Sequence, residues 1–544
     1  MAELTIRFRL RFAVALTAAL CVLLAFTASY ADSAPARADY IVQMKKGTSP
    51  AAGKRMVRSL GGRVISPTLR VINGFGARLS HRAAVRLRHR RGVKNVSLNV
   101  SMSASADTTG SYTCPSTDAT TISSKWYPGQ ARDVEPSTLN WSNRLAQPMI
   151  RAIKADSAWY RATGRGVGVA VIDTGIAGDL ADFQTPGWAG SRVIASAVTN
   201  PCATDANDHY GHGTHVAGLI AGNSLLYPSD NKYYGKYMGV APRANLISVK
   251  VSDDDGNTTV LDVIYGIQFA VDNKATYGIR VVNLSLSSAV AESYRTDPLD
   301  AAVESAWFSG LVVVAAAGNE GTLNDGVTFA PANDPWVITA GAIDDRNTWT
   351  RLDDILAPWS SRGLTQDGVL KPEVLAPGTG LVSTLALNSD FARLCPECIV
   401  DGRYFRAGGT SMSTAVVSGA AALLLEDHPS WTPARVKGAL VQMLDNVPGA
   451  GGEINVAAAL DGTASSSVSL APNTLIDPTT GQIDWARASF RRASFRDASG
   501  SPLSASWSRA SFRCDCGFTD SGEVDPTRVS FRRVSFRKTT DFGG

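Results

Sequence analysis

From about residue 150 the chain repeats one pattern: a short, nearly unbroken apolar run, then a longer stretch whose apolar positions recur every three or four residues. The runs are VGVAVID (167–173), NLISVKV (245–251), IRVVNLSL (279–286), LVVVAAAGN (311–319) and WVITAGA (336–342). Runs this short and this apolar predict strands covered on both faces. Between the second and the third, Val260, Val263, Ile264, Ile267, Ala270 and Val271 fall on one side of a helix. The alternation predicts a doubly wound α/β domain over 150–461, its sheet mostly parallel, with reacting groups at the carboxyl ends of the strands.

Upstream the pattern differs. Residues 39–100 read as a small α+β unit of ferredoxin-like kind, with strands at DYIVQMK, INGFGARL and KNVSLNV and helices at AAGKRMVRSL and HRAAVRLRHR. Residues 101–149 begin with a Ser/Thr-rich stretch of linker composition, where an exposed chain is open to proteolysis. The first 31 residues join a basic start, the run AVALTAALCVLLAFTA and small residues up to Ala31. That is the pattern of a secretion signal, and the run is short for a membrane span, so an exported chain without a stable membrane anchor is expected.

Charge adds one fact. The net charge of +5 hides a split: residues 39–100 carry 14 Lys/Arg against the single acid Asp39, whereas 101–461 carry 24 against 37 Asp/Glu. A basic segment alone raises nucleic-acid binding. With an acidic partner in the same chain, docking of one on the other is the expectation, and no nucleic-acid role is expected. Outside the signal stand Cys114, Cys202, Cys395, Cys398, Cys514 and Cys516. An oxidising compartment could pair them, and CPEC (395–398) reads as a local disulfide or as two bonds to Cys202 and Cys114.

The chemistry lies in three stretches. Asp173 ends the first strand in VIDTG, His212 opens GHGTHVAGLIAG, and Ser411 sits in GGTSMSTAVVSG ahead of an apolar helical run. A serine hydroxyl needs a base to take its proton, and an imidazole base needs a carboxylate to fix its tautomer. HYGHGTHVAG holds three of the six histidines, His209, His212 and His215, at intervals of three. A metal reading is weakened by the absence of HExxH and of any glutamate there, and Gly211 and Gly213 suit a tight turn into a helix. His209 reads as a surface residue and His215 as a packed one.

These motifs, in the order Asp, His, Ser, resemble those of the subtilisin-like serine proteases. GRGVGVAVIDTGI, GVAPRANLISVKV, VVNLSLS, SSRG and KPEVLAPG are similar to segments of that family's core. The resemblance implies a secreted endopeptidase acting on proteins or peptides, with Asp173 orienting, His212 as base, Ser411 as nucleophile and Asn319 of AAAGNEG as oxyanion donor. It implies Leu286, Ser287 and Ser288 as substrate-binding residues, although SLSSA lacks the glycines usual there. By the same resemblance residues 39–100 are an inhibitory propeptide, an intramolecular partner of the catalytic domain. No cofactor is required, and a structural calcium ion is compatible, though not in the solvated turn Asp253-Asp254-Asp255-Gly256-Asn257. Ala415 stands where the family usually has proline, which is expected to loosen the helix's first turn.

The extension 462–544 repeats R-[AV]-S-F-R at 487–491, 492–496, 509–513, 528–532 and 533–537. It reads as a β-appendage or a tail removed on maturation, with polyanion binding the sharper alternative. A catalytically silent subtilase fold used for adhesion or binding is the competing function.

Overall fold

The computed structural model describes residues 37–99 and 144–474, apart from 46, 186–189, 228–230, 289–290, 322–326 and 449–450, together with strand segments at 101–102, 125–126, 513–518 and 524–533. The signal, most of the linker and most of the repeat-bearing extension lie outside the described residues.

The first unit runs β1 (Ala38–Met44), α1 (Pro50–Ser59), β2 (Arg63–Val64), β3 (Gly74–Leu79), α2 (His81–Arg88), β4 (Val93–Leu98). The order across the sheet is β2-β3-β1-β4, and the pairs are antiparallel, a split βαβ arrangement. Strand periodicity explains its two buried faces. Tyr40, Val42 and Met44 join Val57, Ala84 and Leu87 of the helices in one core. Ile41, between them, points the other way and belongs to the core of the larger body with Leu69, Val71 and Ile72.

The larger body is a parallel sheet. Its central strands are β5 (Gly168–Asp173), β6 (Val193–Val198), β7 (Asn245–Lys250), β8 (Ile279–Leu284), β9 (Val312–Ala316), β10 (Ile338–Asp344) and β11 (Val374–Pro377). They lie in the order β6-β7-β5-β8-β9-β10-β11, parallel throughout. Five were legible as apolar runs; β6 and β11 are diluted by Ser196 and Pro377 and were not. The strand order reverses between β5 and β8, and at such a switch point the flanking loops part to leave a crevice.

Helices α3 (His212–Ala221), α4 (Val260–Tyr277), α5 (Pro298–Phe308) and α6 (Thr410–Asp427) cover the sheet. Alternation along β5 assigns the sides. A Cβ on Gly266 of α4 would stand 3.0 Å from Ile172, and one on Gly213 of α3 would stand 3.2 Å from the Asp173 side chain. Glycine at both places lets each helix lie close on the strand. α4 starts from a capping box in which Thr259 and Asp262 satisfy each other's backbone, and it ends at Gly278 in the left-handed region.

The packed body is wider at both ends than the 150–461 read from the sequence. Gln147 exchanges two hydrogen bonds with the backbone of Val382, at 2.9 and 2.8 Å. At the other end Asn473 is fully buried, its N–H donating to both oxygens of Glu304 at 2.8 Å. Among the described residues no helix is long and apolar enough to cross a membrane.

Candidate active site

Asp173 is the last residue of β5 and is fully buried. Its Oδ1 accepts the Thr174 N–H and the Nδ1–H of His212, each at 2.7 Å. A carboxylate only accepts, so Nδ1 carries the proton, and whenever the ring is neutral Nε2 is its basic nitrogen. This is the tautomer of a general base.

His212 is the first residue of α3 and is also buried. Asp208, which carried no signal in the sequence, holds that helix start. It accepts from the N–H of Gly211 at 2.7 Å, the N–H of Thr214 at 2.7 Å and the Thr174 hydroxyl at 2.8 Å. Thr174 Oγ1 in turn accepts the Gly213 N–H at 2.9 Å. One carboxylate thus ties the residue after Asp173 to the residues on both sides of His212. Burial pushes the Asp208 carboxyl up from its ordinary range against these hydrogen bonds. Gly211 takes φ 107°, a conformation that favours glycine.

The three histidines separate as expected. His209 is 40% exposed and meets Asp205 at 3.0 Å. His215 is buried, and its Nε2 contacts the carbonyls of Phe405 at 3.0 Å and Leu381 at 3.3 Å. Burial, with His212 adding to it, lowers its pKa to about 3, so His215 stays a neutral donor.

Ser411 lies in the first turn of α6, buried, where its N–H has no intrahelical acceptor. Its hydroxyl donates to the carbonyl of Ser285 at 3.1 Å, and the Ser285 hydroxyl donates back to the Ser411 carbonyl at 2.9 Å. Asn283 and Ser418 extend this network between β8 and α6 through bonds of 3.0 and 2.9 Å. Asn283 and Ser285 had no signal in the sequence beyond being polar residues in an apolar run.

Asn319 follows β9. Its Oδ1 accepts from the N–H and the hydroxyl of Thr410 at 2.8 and 2.9 Å, which sets it beside the residue that precedes Ser411. Because the amide is planar, its NH2 group faces away from Thr410. Leu286, Ser287 and Ser288 continue from β8 and are buried, with the Ser288 N–H on the Ala330 carbonyl at 2.7 Å. The expectation for Ala415 needs correcting. α6 begins at Thr410, so Ala415 is the sixth helical residue and its N–H stands over the Ser411 carbonyl. Alanine keeps a helical bond there that proline would remove, so the first turn is not loosened.

Cys395 and Cys398 form a disulfide and so offer no thiolate to a metal. In the acidic turn, Asp253 accepts from the N–H groups of Asp255 and Asn257 at 3.1 and 2.7 Å, a self-contained arrangement.

An acid, an imidazole, a hydroxyl and an amide thus stand at the carboxyl edge of one parallel sheet, the set of groups that nucleophilic serine chemistry requires. Residues 164–459 match the model of the subtilase family, so the chain belongs to that family, whose members are serine endopeptidases. It is 40% identical over 281 residues to serine protease AprX of Bacillus subtilis, covering 51% of this chain and 60% of that one. It is 37% identical over 289 residues to subtilisin E of the same species, covering 53% and 62%. The chain thus matches about three fifths of the length of these relatives. Among solved structures, fervidolysin of Fervidobacterium pennivorans, a keratinolytic enzyme related to subtilisin, has the same fold, with a TM-score of 0.58 at 24% identity over 79% of this chain and 62% of that one.

Proposed function

We propose that this chain is a secreted serine endopeptidase made as a zymogen. The observation that carries the reading is the buried 2.7 Å bond from His212 Nδ1 to Asp173, at the same sheet edge as Ser411 and Asn319. Ser411 Oγ attacks the peptide carbonyl and His212 Nε2 takes its proton, while Asp173 holds the imidazolium that forms. The Ser411 N–H and the Asn319 NH2 hold the oxyanion. In the resting state the Ser411 hydroxyl is given to Ser285, and it turns to the imidazole when substrate fills the cleft, as catalytic hydrogen bonds often tighten only in the complex. No cofactor enters these steps.

The α+β unit acts as the inhibitor in cis. Its second face covers α4, where the Val71 N–H donates to Gln268 at 2.5 Å and Arg70 pairs with Asp272 at 2.6 Å. The chain leaving it pairs antiparallel with Thr258 and Thr259, through Ser101 and Met102. That stretch follows Gly256, which lies under the ring of Tyr210, two residues before His212. Export is supported by the pattern of residues 1–31.

A fluorophosphonate probe tests the reading: the mature wild-type chain takes the label and Ser411→Ala does not. An unlabelled, correctly folded wild type leaves the silent-fold alternative standing.

A further inference from the structure

Between the strands Leu381–Thr384 and Tyr404–Ala407 the chain makes an excursion that carries the short helix Asp390–Leu394 and the disulfide Cys395–Cys398. From that helix Phe391 reaches the catalytic histidine. Its ring centroid lies 6.2 Å from that of His212, with the planes at 78°, an edge-to-face contact. The same ring lies 5.5 Å from Tyr210 and 5.1 Å from Phe405, and Phe391 is buried.

The backbone of the excursion is tied to the loop that enters α3. The Asp390 N–H donates to the His209 carbonyl at 2.9 Å, and the Phe391 N–H donates to the Tyr210 carbonyl at 3.0 Å. Gly211 leaves room for the approach, since a Cβ there would stand 2.6 Å from Ser389 Oγ and 2.9 Å from Phe391 Cβ. Beyond Phe391 the Cys395 N–H donates to the Phe391 carbonyl at 3.2 Å, and both sulfur-bearing residues are buried. The disulfide therefore closes a short loop directly behind the residue that touches the imidazole.

We propose that Phe391 is a positioning residue for His212, and that the Cys395–Cys398 disulfide is its anchor. This rests on the serine-protease reading above. The bond to Asp173 holds the imidazole at Nδ1 but leaves the ring able to tilt about that bond. An aromatic edge against the ring removes the tilt and keeps Nε2 aimed at the hydroxyl, where a misplacement of about 1 Å costs up to about 100-fold in rate. A dithiol reductant relaxes the anchor: two electrons and two protons convert the S–S bond to two thiols, and the reductant leaves as its cyclic disulfide.

The test uses the mature enzyme and a chromogenic peptide, with kcat and KM measured separately and active sites counted by fluorophosphonate labelling. Phe391→Ala is expected to lower kcat about 10- to 100-fold with KM within about twofold, and Phe391→Tyr to restore most of it. The Cys395→Ser/Cys398→Ser double variant is expected to lose part of kcat with no reductant present. Because Cys202 is also in a disulfide, that variant and not reduction alone isolates the anchor. A kcat for Phe391→Ala within twofold of wild type overturns the positioning role; if that variant does not accumulate, the same criterion applies to Phe391→Leu. An undiminished kcat in the double serine variant overturns the anchor. A wild type that takes no label overturns the serine-protease reading instead, which keeps the two failures apart.

Discussion

Asn319 shows how much one neighbour decides. Its carbonyl oxygen is occupied twice by Thr410, so the amide is oriented before any substrate arrives. Asn319→Ala is expected to lower kcat about 10²–10³-fold with a small change in KM, the size of effect that loss of the oxyanion-hole asparagine has in subtilisin itself. Gly213 is held by a different constraint. A Cβ there would collide with the Gly175 carbonyl oxygen, which is backbone and cannot step aside. Gly213→Ala is therefore expected to push α3 off β5 and break the Asp173–His212 bond, measured as loss of labelling at Ser411 together with a lower Tm. Either residue could be picked out from its motif. The reason it cannot be changed is visible only in the contact.

At the scale of elements, the segment after residue 461 is part of the catalytic body. Asn473 also donates through Nδ2 to the carbonyls of Tyr294 and Asp297, and the Tyr294 hydroxyl donates to the Ala471 carbonyl at 2.6 Å. At about 1 kcal/mol per buried hydrogen bond, these contacts contribute about 3–4 kcal/mol. A chain ending at 461 is expected to melt several degrees below one ending at 474, measured in the Ser411→Ala background to prevent self-digestion. The pattern rule did not find this strap, because APNT carries no periodicity and its burial comes from α5.

Element docking also revises the reading of charge. Among the described residues one ion pair crosses between the α+β unit and the body, Arg70–Asp272, and Arg70 is 73% exposed. A pair so exposed contributes little. Ile41, Leu69, Val71 and Ile72 carry the contact, and the opposite net charges act over longer range, on encounter. Under the inhibitory role proposed for residues 39–100, high salt is expected to slow their association with the rest of the chain more than it speeds their release, read from the onset of inhibition.

The whole molecule carries a group of buried acids between α5 and the loop after β9. Asp300 and Glu304 are raised well above the carboxylate range, burial first and neighbouring acids second, and Asp297 and Asp334 are each raised to about 6, chiefly by burial. A carboxyl with a raised folded-state pKa binds its proton more tightly when folded. Its contribution is full below the unfolded pKa near 4 and is lost as pH rises through about 6 and beyond. In the Ser411→Ala background Tm is expected to fall between pH 5 and pH 8, and Asp300→Asn to shrink that fall. An unchanged fall in Asp300→Asn would show that Asp300 is not among the groups responsible.

What the sequence determined by itself is local or periodic. Apolar runs of strand length, the helix stripe from Val260, the three strands and two helices read in residues 39–100 and the three motifs around Asp173, His212 and Ser411 each need only neighbours within a few turns, and the physics of periodic burial makes them legible. The tertiary structure alone decided what spans the sheet: Asp208 and Thr174 holding the start of α3, Ser285 exchanging bonds with Ser411, Thr410 turning Asn319, Phe391 set against the imidazole, and Asn473 sealing Glu304. Each pairs residues remote in sequence and brought together by strand order. A single chain read in order carries no signal for such a pair until the strands that join it are in place.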